Sequence, residues 1–215
     1  MRAIFKLALI LAAAASAQEP EGGYARLRFV NATGMEGAVL VSLDGQKLNS
    51  RGYTSGQATG HMDVLPKNYQ IELKHDTLGE SRLNLELRPG EMRAVIVLAK
   101  IGETKKEGEP PEITLDHHLL EYTVLEKGSP SSLLVLQTTP LPSLEISVAG
   151  KSCTAERFKP ASMVVTGDMG QFPVVHFQQR RVCSLSFHEP ADAALILYAD
   201  AKGTLQHIFF KNHVR

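Results

Sequence analysis

Tryptophan is absent from this sequence and aromatic side chains make up only 6% of its 215 residues. The stacked-ring platforms on which sugar-cleaving clefts and carbohydrate-binding surfaces commonly rest have little to be built from. An excess of one charge is lacking too: 23 basic residues balance 23 acidic ones, whereas a nucleic-acid partner or an anionic lipid surface calls for a basic patch. Cysteine is scarce. With only Cys153 and Cys183, there is no Cys-x-x-Cys spacing for a redox centre or a zinc site. A Gly-x-Ser-x-Gly nucleophile elbow is missing, as is the helix that would follow it. Helical periodicity of useful length occurs only at the N-terminus, and no later segment is apolar for long enough to cross a membrane.

At that N-terminus, Arg2 and Lys6 precede an unbroken apolar run that ends in Ala15-Ser16-Ala17. A charged start, about ten apolar residues and a small-x-small site predict a cleaved signal peptide over residues 1–17, because the run is too short to span a bilayer. No cysteine follows the site to carry a lipid. The mature chain is therefore expected to begin near Gln18 and to act in the periplasm or as a secreted protein, without crossing the membrane. In an oxidising compartment Cys153 and Cys183 read most simply as a disulfide. Closing a loop of about 30 residues would contribute ~3 kcal/mol.

Apolar and polar residues alternate with period two through most of the chain, the mark of strands buried on one face and wet on the other. The first half offers strands at 27–30, 39–43, 69–73, 83–87 and 94–99, and the second at 119–125, 133–136, 144–148, 173–177, 182–187, 193–198 and 205–210. Turn signals separate them, among them Asp44-Gly45, where a type I′ hairpin turn needs the positive φ that Gly supplies. Midway, the run GETKKEGEPPE has no large apolar residue and two consecutive prolines, which predicts a polar linker over 101–112. The predicted class is all-β, with two tandem small antiparallel β-sandwich (Ig-like) domains at 18–100 and 113–215. The halves also echo one another. Val39, Val41, Leu43 and Gly45 share the spacing of Leu144, Ile146, Val148 and Gly150, and 94–99 matches 194–199, so duplication of one seven-strand unit is the sharper reading and generic strand composition the plainer one.

Few residues suggest chemistry. Residues 50–56 are rich in hydroxyls but fall where a loop between strands is expected. Of the eight histidines, His117 and His118 are adjacent, and neighbours on a regular strand point to opposite faces. His61, His75, His176, His188, His207 and His213 are scattered. Asn31-Ala32-Thr33 fits the N-glycosylation pattern but matters only in a eukaryotic secretory pathway. Tyr53, Phe158 and Arg180-Arg181 are the residual candidates for contact with a partner. No catalytic, metal-binding or cofactor residue is assigned.

The first strand, Ala25-Arg26-Leu27-Arg28-Phe29-Val30-Asn31, closes on Asn; Leu65-Pro66 leads into Tyr69; and Ala194-Leu-Ile-Leu-Tyr-Ala-Asp-Ala-Lys-Gly-Thr-Leu-Gln forms a closing apolar hairpin. In these features and in its overall plan the chain resembles the small periplasmic accessory proteins of bacterial alginate O-acetylation. It is also similar to a broader class of Ig-like bacterial envelope domains. Cys153 and Cys183 fall outside that likeness. The resemblance implies a non-enzymatic role in which partners carry out acyl transfer and this component works through protein contacts. The leading expectation is thus a scaffold or adaptor in exopolysaccharide O-acetylation or export, meeting envelope proteins, such as a polysaccharide acyltransferase, through sheet edges and loops. A glycan- or surface-ligand-binding module is the alternative, and a metal-dependent enzyme using His117 or His118 is the third reading.

Overall fold

The computed structural model describes residues 23–102, 111–122, 130–166, 169–170, 172–187 and 191–212, and no α-helix occurs among them. The expected signal peptide over 1–17 lies outside the described residues, as do His188 and His213. Among the described residues seventeen strands run in two series. The first comprises β1 (Ala25–Asn31), β2 (Ala38–Leu43), β3 (Gln46–Lys47), β4 (Tyr53–Thr54), β5 (Met62–Val64), β6 (Asn68–His75), β7 (Gly79–Glu86), β8 (Met92–Ile101) and β9 (Ile113–Glu121). The second comprises β10 (Ser131–Gln137), β11 (Ser143–Val148), β12 (Lys151–Glu156), β13 (Ala161–Val165), β14 (Val174–Phe177), β15 (Arg180–Ser184), β16 (Asp192–Ala199) and β17 (Leu205–Asn212).

These strands form four sheets whose orders repeat: β5-β1-β8-β9 and β3-β2-β6-β7, with β4 also paired to β2, in the first half, and β13-β10-β16-β17 and β12-β11-β14-β15 in the second. The spacing shared by the two halves therefore reflects one topology used twice. Equivalent hairpins even share their turn: Asp44 and Gly45 have φ of 49° and 78°, Ala149 and Gly150 φ of 49° and 83°, the paired positive values of a type I′ turn. Pairing is mostly antiparallel, but β1 runs parallel to β8 and β10 parallel to β16. Each half thus holds one mixed sheet rather than two purely antiparallel ones.

Within each half the two sheets enclose a core. Leu27, Phe29, Ile71, Leu73 and Val95 are among the buried residues of the first, and Leu133, Ile146, Leu185 and Leu195 among those of the second. A third core was not foreseen. Val30, Ala94, Ile96 and Leu120 from the first half pack against Leu136, Ala194, Ile196 and Phe210 from the second. The two mixed sheets thus meet through the faces turned away from their own cores, and the molecule is a stack of four sheets.

Of the expected linker at 101–112, residues 103–110 lie outside the described residues, and the strands at its two ends belong to one sheet. β9, placed by sequence at the start of the second domain, instead completes the first mixed sheet: it pairs with β8 from Arg93 opposite Glu121 to Ile101 opposite Ile113. Gly102 N–H donates to Glu112 O at 2.7 Å. β9 thus lies antiparallel to β8 and satisfies its otherwise free edge.

The expected disulfide is corrected as well. Cys153 and Cys183 are free thiols. They sit on β12 and β15, the two outer strands of one sheet, with β11 and β14 between them. Strands lie about 4.8 Å apart, so three spacings hold the residues far beyond the ~7 Å that Cα atoms of a bridged pair tolerate. Both thiols pack on the second core instead.

Candidate functional site

Each half ends its first strand in the same buried polar knot. Asn31 Oδ1 accepts hydrogen bonds from Thr33 N–H at 3.0 Å and Thr33 Oγ1–H at 2.7 Å. Gln137 Oε1 accepts from Thr139 N–H at 2.9 Å and Thr139 Oγ1–H at 2.7 Å. The amide nitrogens are used too, Asn31 Nδ2 donating to Tyr53 O at 2.7 Å and Gln137 Nε2 to Leu141 O at 2.9 Å. The Asn31-Ala32-Thr33 tripeptide is thus a structural device whose spacing lets a hydroxyl reach the preceding amide. These knots fix the segments that leave β1 and β10, and both segments border the junction between the halves.

At that border lies a cleft of ≈ 250 Å³. The first half lends Ala32, Thr33, Met35, Ala99, Ile101 and Ile113, and the second lends Thr138, Pro140, Arg157, Tyr198 and the β16–β17 turn. Between cleft-lining Thr33 and Met35, Gly34 has φ of 69°, and a Cβ there would collide with the Ala199 carbonyl. That close approach lets Ala201 N–H donate to Gly34 O at 2.9 Å across the junction. Gly34 N–H in turn donates to Ser55 Oγ at 2.9 Å. The hydroxyl-rich loop at 50–56 therefore braces the cleft wall through Ser55.

Two charged groups line the cleft, and only one is occupied. Asp200 Oδ1 accepts from the N–H groups of Lys202 and Thr204, each at 2.9 Å, and Oδ2 accepts from Gln206 Nε2 at 3.0 Å. These bonds hold its carboxyl below the usual range, the Thr204 N–H most of all. Arg157 has its guanidinium 4.7 Å from the Phe158 ring centroid. Its Nε is buried without a hydrogen-bond partner. The cleft is thus largely apolar, with one ionised carboxylate bonded to its own turn and one guanidinium whose Nε has no partner.

Phe158, singled out from sequence, does lie at the junction: its ring also stacks on His118, with centroids 5.6 Å apart. His118 is held below its ordinary value by burial, with a smaller contribution from His117. His117 points the other way, within 3.0 Å of Ser81 Oγ through its Nδ1, as alternation on a strand requires. Among the described residues no group of three or more His, Cys, Asp and Glu side chains is placed to hold a metal ion. Tyr53 packs on the first core. Arg180 and Arg181 lie on β15, where Arg181 Nη2 donates to Ser184 Oγ at 2.8 Å.

Sequence reasoning missed Arg28. It is 5% exposed, on the outer face of β1, and its Nε and Nη1 have no hydrogen-bond partner. Burial lowers its pKa, partly offset by Tyr122. Tyr122 is itself pushed up to about 12 by burial, and its hydroxyl lies 3.1 Å from His61 Nε2. Matching registers, Arg28 opposite Ala94 and Leu134 opposite Ala194, make Arg28 the counterpart of an apolar residue in the second half.

The chain matches no protein-family model and no curated protein.

Proposed function

We propose that this protein is a non-enzymatic adaptor of the bacterial envelope, built as two Ig-like sandwiches and acting in exopolysaccharide O-acetylation or export. It works in the periplasm or outside the cell, holding partner proteins such as a polysaccharide acyltransferase. One observation carries the reading: the cleft rim displays large apolar side chains, with Ile101 at 47% and Ile113 at 39% exposure, and Leu141 at 49% follows cleft-lining Pro140 in the chain. Clustered exposed apolar side chains around a concave feature are the usual sign of a protein contact. The signal-like N-terminus and the resemblance of the first strand and last hairpin support the envelope setting.

A photo-crosslinking residue at Ile101, compared with one at exposed Gln70 on β6, tests this in the native envelope. The adaptor reading expects a discrete protein adduct from position 101 alone. Adducts equal at both positions, or none, would overturn it.

A second reading is favoured by a shallow groove of ≈ 840 Å³ on the second half. Ser143, Glu145, Ser147, His176, Gln178 and Gln179 line it with hydroxyl, carboxylate, imidazole and amide groups, the donors and acceptors that a glycan would meet. Saturable binding of alginate oligomers by calorimetry, lost in Glu145→Ala, would move the assignment to a glycan-binding module.

A further inference from the structure

We infer that the junction cleft is a receptor for a partner segment carrying one large apolar side chain beside a carboxylate. The side chain enters between Met35, Ile101, Ile113 and Pro140, and the carboxylate pairs with Arg157. This inference rests on the adaptor reading and names what that adaptor recognises.

Size, lining and charge each narrow the occupant. At ≈ 250 Å³ the cleft is smaller than the roughly 300–1,000 Å³ sites that enclose free drug-sized ligands, yet it has room for one branched side chain anchored by a larger body. Its walls are mainly Ala, Met, Ile and Pro, which reward an apolar anchor and offer a sugar few partners. Asp200 also lines the cleft, but its oxygens are taken by the β16–β17 turn and Gln206. Three of its acceptor sites are thus already committed to holding the turn. Arg157 is the cation of the cleft, with Nε buried and unpartnered, and a guanidinium donor in that state is best met by a carboxylate through charge-assisted hydrogen bonds. Its stacking on Phe158, which stacks in turn on His118, holds the guanidinium in place, so little side-chain freedom remains to be lost on binding.

The test is panning of a phage-displayed dodecapeptide library on the full mature chain, with the selected peptides resynthesised and titrated. Selected sequences are expected to place Leu, Ile or Phe next to Asp or Glu. Their affinity should fall at least about tenfold in Arg157→Gln, the loss of one hydrogen-bonded charge contact, and much less in Arg157→Lys. Ile113→Glu is expected to weaken the same peptides, and equal thermal midpoints among the variants exclude misfolding. Peptides without an acidic residue, binding unaffected by Arg157→Gln, or no selected peptide at all would overturn the inference. If the Ile101 crosslink to an envelope protein is still obtained in that case, the adaptor reading stands without it. If both fail, the two fall together.

Discussion

The guanidinium carbon of Arg28 lies 4.2 Å from the centroid of the Phe210 ring, across the junction between the two halves. This cation–π contact and the nearby Tyr122 are the compensation visible for a charge taken out of water at two unpartnered nitrogens. Leu134 holds the equivalent place in the other half. Arg28→Leu is therefore expected to stabilise the protein by about 1–3 kcal/mol, as when buried charges give way to packed hydrophobes. Urea unfolding measures this directly, and a lower midpoint would show that Arg28 has a stabilising partner not accounted for.

The polar knots make the opposite case, since their groups are satisfied in pairs. Asn31 is 2% exposed, and removing its side chain strands the Thr33 hydroxyl, the Thr33 N–H donor and the Tyr53 carbonyl acceptor. Asn31→Ala should cost about 2–4 kcal/mol, and Gln137→Ala a similar amount. A change under 0.5 kcal/mol in either would mean that the knots do not hold the cleft walls.

Much of this fold was legible because one face of each strand alternates cleanly. β6 reads Asn68-Tyr69-Gln70-Ile71, and the odd residues are the buried ones. The third core was harder to see, because Arg26 and Arg28 on alternate positions of β1 look like a wet face. The signal lay elsewhere: β8 and β16 carry the runs Ala-Val-Ile-Val-Leu-Ala and Ala-Leu-Ile-Leu-Tyr-Ala, buried on both faces, as strands covered from both sides are. The cleft was not legible at all. It is assembled from the ends of β1, β8, β10 and β16, residues distant in sequence, and Arg157 has no motif to mark it. The cysteines misled because compartment predicts oxidation while the topology places them on opposite edges of one sheet.

Free thiols have two consequences. Two equivalents of thiol should react in denaturant without prior reduction, and none would restore the disulfide. In the folded protein Cys183 is pushed up to about 11 from 9.0 by burial, and Tyr122 to about 12 from 10.0. Both groups keep a proton in the native state that the unfolded chain releases first, so their linkage favours the native state below pH 9 and that stability is lost as pH rises from about 9 to 12. The effect should be about 2–3 kcal/mol for each group. Stability measured from pH 8 to 11 in Cys183→Ala should fall less steeply than in the native sequence; parallel curves would remove the assignment.

Ala149 adopts φ of 49° at the turn where the first half has Asp44. Left-handed backbone disfavours Ala by about 1 kcal/mol and is tolerated by Asn. Ala149→Asn is therefore expected to raise the unfolding free energy by roughly 0.5–1 kcal/mol. An unchanged or lower value would show that the turn is held by its strands alone.

Quantitative mass spectrometry of what co-purifies with the mature chain from its own envelope, compared between the native sequence and Ile113→Glu, tests the adaptor account most directly. The account expects an acyltransferase or polysaccharide-assembly protein in stoichiometric amount with the native chain and its loss in the variant, with both proteins folded. An identical set of companions in the two samples, or a clean monomer in both, would contradict it.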